Sequence, residues 1–379
     1  MTNENSPLAR LRVVHVLNEL RPSGAETMLV SAAEHWTALG ISCDVIATGA
    51  AMGPFADDLR RAGYGVYHVP VGRTPSDLFR FWRFLRASDY DIVHQHPEGR
   101  GYWLSLAARS LRLPVVRTVH SHFAFTGNLR LRRSLQRRHL RALGVRFVAI
   151  APGVQENELV RFRNSCDLIW NWLDLRRFAR ISESERRQSR AQRNIAPQTK
   201  VLVSVGNCST IKNHGAIISA LALLGDRWDL RYLHAGVEDT LGTEREAARA
   251  QGVLSRVDFL GWTQDVRGIM AAADLFVMPS VLEGLGVAAM EALATGIPTL
   301  LADSPGLRDL RLAFPTIRYF EPNATSLASK LAEILAQPDA LTPRQRDEQA
   351  DTCQRLFDPR RGAAEYARVF RELFKGTGR

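Results

Sequence analysis

Short apolar runs alternate with stretches that carry an apolar residue every third or fourth position through the first 150 residues. Val13 to Leu17, Asp44 to Ala47, Val66 to Val69, Ile92 to His94, Val115 to Val119 and Phe147 to Ile150 read as strands. Ala25 to Leu39, Asp77 to Arg86 and Trp103 to Leu111 read as helices between them. This alternation predicts βαβ units on a parallel sheet. Arg176 to Asn194 breaks the rhythm, being rich in Arg, Ser and Gln and nearly free of apolar residues, and so predicts an exposed connection. The pattern then restarts with Val201 to Val205, Leu230 to Ala235, Val257 to Leu260, Leu275 to Met278 and Thr299 to Leu301, runs apolar enough to be covered on both faces. A last amphipathic helix over Arg360 to Phe374 offers Ala364, Ala367, Val369, Phe370, Leu373 and Phe374 for packing. The fold class expected is therefore α/β, with two doubly wound domains whose ligand loops follow the carboxyl ends of strands and meet across a cleft.

Length agrees with this, because 379 residues exceed one ordinary core. With 45% apolar and 23% charged residues the composition is that of a globular chain. There is no apolar run of about 18 residues to span a membrane, and the polar first ten residues carry no secretory core, so a cytoplasmic location is expected. Cys43, Cys166, Cys208 and Cys353 form no C-x-x-C pair and predict reduced, buried thiols.

A net charge of +11 points to anionic partners. The densest block holds Arg130, Arg132, Arg133, Arg137, Arg138 and Arg141, with Leu131, Leu135 and Leu140 spaced for an amphipathic helix. Two readings stand: a solvated helix face, or contact with an anionic membrane leaflet or polyanionic acceptor. Nucleic acid is disfavoured, since no aromatic platform, helix-turn-helix or zinc pattern accompanies the arginines.

The chemistry concentrates in Leu275 to Thr299, where a buried strand ends at Pro279 and a small-residue loop opens a helix near Gly286. Gly284 and Gly286 let backbone approach a ligand closely, and the amides from Gly284 through Leu285 to Gly286, at the positive end of a helix dipole, suit a diphosphate. Glu291, on the helix, could accept hydrogen bonds from vicinal ribose hydroxyls. Glu283, beside the loop, could hold sugar hydroxyls or balance a positive transition state. His94 with His96, and His120 with His122, stand two apart on extended segments, a spacing metal sites use. No carboxylate pair follows at usable spacing, and no metal site is expected. His15, His35, His68 and His234 read as structural.

The stretch resembles the E-x7-E signature of glycosyltransferase family 4, retaining enzymes of the GT-B fold. Phe259-Leu260-Gly261, Asp265-Val266, Ala273-Asp274, Pro279-Ser280, Glu283-Gly284, Gly286, Glu291-Ala292, Gly296 and Pro298 reproduce its pattern. Ser23-Gly24-Ala25-Glu26 is similar to the family's glycine loop facing the donor phosphates, where two glycines are commoner. Asp91 to His94 resembles the strand before the acceptor-side loop, and Thr118 to His122 the strand end whose first histidine, here His120, lies beside the donor sugar. Val205-Gly206 through Lys212-Asn213-His214 resembles the phosphate loop, Asn171 to Asp174 the entry to the linker, and Phe357-Asp358 with Tyr366 the helix that returns to the first domain.

The resemblance implies two Rossmann-like domains: residues 1–175, acceptor-side, with a helix at about 358–375 returning to them; a linker over 176–198; and 199–357, which bind a nucleotide diphosphate sugar. It implies front-face transfer with retention and no divalent metal or other cofactor. Glu283 and His120 would position the sugar, Lys212 stabilise the leaving phosphate, and Gly24, Asn207, Gly284, Leu285, Gly286 and Glu291 bind donor. UDP is the preferred donor nucleotide, and a glycan or lipid-linked acceptor at the inner membrane face, as in polysaccharide assembly, the preferred partner. Two departures stand out. Asn207 replaces the arginine usual after the glycine of the phosphate loop, losing a charge-assisted contact of about 1.5–3 kcal/mol, and Trp172 replaces a common glycine. A nucleotide-sugar epimerase and a non-catalytic binding protein are the alternatives; nucleotide release separates the transferase from both.

Overall fold

The computed structural model describes residues 11–337 and 341–376. The polar opening residues, on which the expectation of no secretory signal rests, lie outside the described residues. The described chain divides into two compact units, residues 11–173 with 358–376, and residues 174–357.

The first unit is built on a seven-stranded parallel sheet of β1 (Leu11–Leu17), β2 (Ile41–Ala47), β3 (Gly65–His68), β4 (Ile92–Gln95), β5 (Val115–Val119), β6 (Arg146–Ala149) and β7 (Asp167–Leu168), in the order β3-β2-β1-β4-β5-β6-β7. The second carries a six-stranded parallel sheet of β8 (Lys200–Val205), β9 (Leu230–Ala235), β10 (Val257–Phe259), β11 (Leu275–Met278), β12 (Thr299–Ala302) and β13 (Arg318–Phe320), ordered β10-β9-β8-β11-β12-β13. Strand order reverses between β1 and β4 in one sheet and between β8 and β11 in the other. Loops leaving those strands diverge to opposite faces and open a crevice at each switch point. The central strands are almost wholly buried, β4, β5, β11 and β12 along their entire length, as sheets covered on both faces require.

Two edge strands escaped the sequence pattern. β7 is two half-buried residues and β13 is three, too short for either apolar run or alternation to register. A larger correction concerns 176–198, expected as an exposed connection. Glu183–Gln192 is a helix of the second unit, opened by a Ser182/Glu185 capping box. It docks through arginines: Arg190 is buried and donates to the carbonyls of Ala272, Ala196 and Thr199, and Arg186 and Arg190 both pair with Asp274. Arginine stems supply the packing area here, and their heads find carbonyls and a carboxylate.

The basic helix is also rearranged relative to expectation. It spans Gly127–Ala142, but its inward positions are Leu140 and Arg137, while Leu131 and Leu135 are 61% and 55% exposed. Arg137 is 2% exposed and makes two bonds to Glu158, at 2.6 and 2.8 Å, and one to Glu98 at 3.1 Å. Arg117 also bonds Glu98, at 3.0 Å. Two of the six arginines, Arg133 and Arg137, thus belong to an internal charge network.

The Pro359–Lys375 helix lies in the first unit against the Gly24–Ala38 helix. Trp172 explains the fit. Its indole N–H donates to the Met28 carbonyl at 2.9 Å, and its ring covers Gly362 so closely that a Cβ there would fall 2.0 Å from Trp172 Cε3. Trp36, Trp172, Tyr366 and Phe370 form the aromatic centre of this core. All four cysteines are free; Cys166, Cys208 and Cys353 are buried and Cys43 half-buried.

Candidate active site

The second unit gathers seven of the residues singled out from sequence around the switch point between β8 and β11. Gly206 follows β8, and the loop it opens carries Asn207 and Lys212. Asn213, with left-handed φ of +56°, donates from its side-chain amide to the Pro279 and Pro322 carbonyls at 3.1 and 3.3 Å. The Ile211 carbonyl accepts from the Val281 amide at 2.9 Å. These bonds fasten the loop after β8 to the segment after β11. Across that junction Lys212 Nζ meets Glu283 Oε1 at 2.7 Å, the ammonium about a third exposed and the carboxylate 11% exposed.

Gly286, at φ +77°, caps the Val287–Thr295 helix, and a Cβ there would lie 2.6 Å from the Leu307 side chain. Any other residue would be strained twice over, by its backbone and by its neighbour. As at the start of any helix, where the first amides have no carbonyl a turn behind them, the amides of Gly284 through Ala288 donate to no carbonyl of the described residues. A run of undonated amides at the positive end of a helix is an anion cradle. Glu291 lies one turn further on the same helix, partly buried, and burial pushes its carboxyl up to about 7 against the pull of Arg177.

Asn207 takes a different part from the one expected of a donor to ligand. Its side-chain oxygen accepts from the Val237 amide at 2.9 Å and braces the loop after β9. Its amide nitrogen is the end left for a ligand.

Gly24 and His120 belong to the first unit, Gly24 at the start of the helix after β1 and His120 directly after β5. Gly24 opens the helix after β1, next to the cap made by Ser23, whose oxygen accepts from the Ala25 amide. The neighbouring Glu26 is buried and its carboxyl raised, chiefly by that burial. His120 follows β5, with its Nε2 2.9 Å from His96 Nδ1. His96 Nε2 in turn lies 3.3 Å from His15 Nδ1. His94 Nε2 bonds Thr118 Oγ1 at 2.7 Å, and Thr118 bonds the Tyr366 hydroxyl at 2.7 Å. Burial holds His120 down to about 4 and His15 to about 3, and places His94 and His96 well below the usual histidine range, with neighbouring histidines adding to the effect. All four rings are therefore neutral at pH 7.

The metal spacing weighed for His94 with His96 resolves, among the described residues, into a cluster with a third member, His15, one ring nitrogen from each lying within 4.8 Å of the other two. His15 was read from sequence as structural, and nothing local in Val13 to Leu17 marks it. Only the adjacency of β1, β4 and β5 brings it to the other rings.

Comparison with known sequences now decides the family. Residues 22–177 match the description Glycosyltransferase Family 4, and residues 185–351 match Glycosyl transferases group 1. The chain belongs to the group 1 glycosyltransferases of family 4. EpsF of Bacillus subtilis (strain 168), itself named a glycosyltransferase, is 29% identical to this glycosyltransferase over 309 residues, 77% of this chain and 79% of that one. A UDP-Gal:alpha-D-GlcNAc-diphosphoundecaprenol alpha-1,3-galactosyltransferase of Escherichia coli is 26% identical over 260 residues, 63% of this chain and 64% of that one. Among solved structures, Anabaena Alr3699/HepE, in complex with UDP and glucose, superposes with a TM-score of 0.80 at 18% identity, over 96% of this chain and all of that one. That likeness establishes the GT-B fold.

Proposed function

We propose that this glycosyltransferase moves a hexose from a nucleotide diphosphate sugar, with UDP as the nucleotide, to a lipid-linked or glycan acceptor, with retention at the anomeric carbon and without a divalent metal or other cofactor. The observation that carries the reading is the cationic and amide surround in the second unit: Lys212, held at 2.7 Å by Glu283, beside the undonated amides of Gly284 to Ala288. Leaving of a diphosphate builds negative charge on its oxygens, and preorganised donors at that place lower the barrier. The galactosyltransferase relative takes UDP-Gal and a diphosphoundecaprenol acceptor, and HepE was crystallised with UDP, both in keeping with this donor and acceptor class.

In this reading the amides of Gly284, Leu285 and Gly286, with Gly24 and the Asn207 amide, bind the diphosphate. Glu291 accepts from the ribose hydroxyls. Lys212 shares its charge with the departing phosphate, and Glu283, its partner in the unliganded site, orients the ammonium and accepts from sugar hydroxyls. His120 donates to the sugar. A neutral imidazole suits that role, since a second positive charge would oppose the one developing at the anomeric carbon.

The acceptor side is read from the Gly127–Ala142 helix. Leu131 and Leu135 are exposed, as are Arg132 and Arg138 on the same helix, an arrangement that fits the headgroup boundary of an anionic inner leaflet. No helix of the described residues is long and apolar enough to cross a membrane, so contact would be peripheral.

The deciding experiment incubates the purified protein with UDP, GDP and ADP sugars in the presence of a chelator and follows nucleotide diphosphate release, with Glu291→Ala as control. Release from one donor, lost in the variant, supports the reading. Sugar conversion without release would replace it with an epimerase, and binding without either would leave a binding protein.

A further inference from the structure

Four histidines from three adjacent strands and the loops after them meet in the first unit, and the reaction proposed above uses only one of them. A neutral imidazole carries one N–H and one lone pair, so a chain of three such rings must run in a single direction. Its links are His15 Nδ1 to His96 Nε2 at 3.3 Å and His96 Nδ1 to His120 Nε2 at 2.9 Å. Its inner end is His15 Nε2, fully buried and without a hydrogen-bond partner. If the chain ran inward, from His120 toward His15, that nitrogen would hold a hydrogen with nowhere to donate it. If it runs outward, the nitrogen holds a bare lone pair. Folded proteins orphan a buried N–H more rarely than an acceptor, so the outward direction is favoured. His15 Nδ1–H then donates to His96, His96 Nδ1–H donates to His120, and the hydrogen of His120 sits on Nδ1, the nitrogen that faces away from the chain.

We infer that His15 and His96 are positioning residues that hold His120 in its Nδ1–H tautomer, so that it meets a substrate oxygen as a hydrogen-bond donor. The inference rests on the reading of His120 as a donor-sugar contact. An imidazole in water favours the opposite tautomer, with hydrogen on Nε2, so an unsupported His120 would present a lone pair from Nδ1 to a hydroxyl or ring oxygen. His94 steadies the arrangement from the side. Its ring lies 4.3 Å from that of His96 and 4.9 Å from Tyr366, and its own bond goes to Thr118 and not into the chain. Outer partners of metal-bound histidines fix ring orientation and tautomer in the same manner, and losing one there costs about 10–100-fold, the scale taken for this chain.

The tautomer can be read without any enzyme assay. Full-length protein labelled with 15N-histidine gives long-range 1H–15N spectra in which a protonated and an unprotonated ring nitrogen differ widely in shift, and the His120 signals are assigned by their loss in His120→Asn. Hydrogen on Nδ1 of His120 and on Nδ1 of His15 is expected in the unmodified protein. His96→Leu is expected to move His120 toward the Nε2–H form and to slow UDP release from the accepted UDP-sugar by about 10–100-fold. His96→Asn, which keeps an N–H near the Nδ1 position, should restore most of both. Hydrogen on Nε2 of His120 in the unmodified protein, or an unchanged tautomer in His96→Leu, would overturn the inference. So would purified protein carrying a metal with His15 protonated on Nε2, because the His15–His96 contact would then be a shared ligand pair. If the tautomer shifts as expected but His120→Ala releases UDP at the normal rate, the role given to His120 fails while the histidine chain stands.

Discussion

Lys212 and Glu283, 71 residues apart in sequence, are joined by an ion pair at 2.7 Å where the loop after β8 meets the segment after β11. The carboxylate is the more buried partner, and the pairing keeps the ammonium beside the amide cradle. Replacing Lys212 by Ala is expected to lower the rate of nucleotide release by about 10²–10³-fold, the usual loss for one charge-stabilising donor. Glu283→Gln should lower it as well, and the double variant should be little worse than the poorer single one, because paired groups act as a unit. Initial rates for the three variants test this; losses that simply multiply would show that the two side chains work independently.

Glu291 carries a carboxyl pushed up to about 7. A raised folded-state value means the native protein binds more protons than the unfolded chain between the ordinary glutamate value and 7, so this residue makes the unliganded protein less stable as pH rises through that window. Under the proposed role of Glu291, donor binding responds in the opposite sense, because only the carboxylate can accept from two ribose hydroxyls. UDP affinity should therefore rise as pH passes through about 7 and flatten above it. In Glu291→Gln both dependences should shrink. Titration calorimetry with UDP and thermal melts from pH 5 to 8.5 measure the two; parallel trends in variant and parent would remove Glu291 as their origin.

Trp172 and Gly362 are a size-matched pair. A methyl at Gly362 would enter the indole ring at 2.0 Å, so Gly362→Ala should destabilise by about 1–3 kcal/mol or more. Trp172→Ala empties the same place and should cost about 3–5 kcal/mol. With Trp172 gone, the added methyl at Gly362 meets open space, and the double variant should be no less stable than Trp172→Ala alone. Urea midpoints of the four proteins form the cycle. Additive losses would mean the helix shifts to accommodate the methyl.

Much of this architecture was legible because buried parallel strands advertise themselves as apolar runs; β1, β5, β8, β9 and β11 fall where Val13, Val115, Val201, Leu230 and Leu275 begin or join such runs. The E-x7-E stretch was legible for a different reason: its glycines and carboxylates are contiguous in sequence, so their neighbourhood is local. What the pattern hid was held by long-range or polar contacts. The helix at Glu183–Gln192 docks by arginine heads on carbonyls, which apolar periodicity does not register, although Ser182 followed by Glu185 is a capping signal in plain sight. Arg137 looked like surface charge because its partners, Glu98 and Glu158, lie 39 and 21 residues away. His15 joined the histidine chain only through sheet order.

The Gly127–Ala142 helix separates two kinds of arginine, and a membrane assay should tell them apart. Arg132 and Arg138 are exposed beside Leu131 and Leu135, whereas Arg137 is buried on Glu158. An arginine near an anionic leaflet contributes about 1 kcal/mol, so replacing Arg132 and Arg138 by Ser should weaken binding to anionic phospholipid vesicles by about 30-fold. Leu131→Ser with Leu135→Ser should weaken binding to any vesicle, through lost apolar insertion. Neither pair should move the unfolding midpoint by much, since all four positions are exposed. Arg137→Met should do the reverse, costing about 3–5 kcal/mol by stranding a wholly buried Glu158, while the protein that remains folded binds vesicles as before. Sedimentation with neutral and anionic vesicles at low and high salt measures the first two effects. Equal binding to both vesicle types would remove the electrostatic half of the membrane reading and leave the arginines as a solvated helix face.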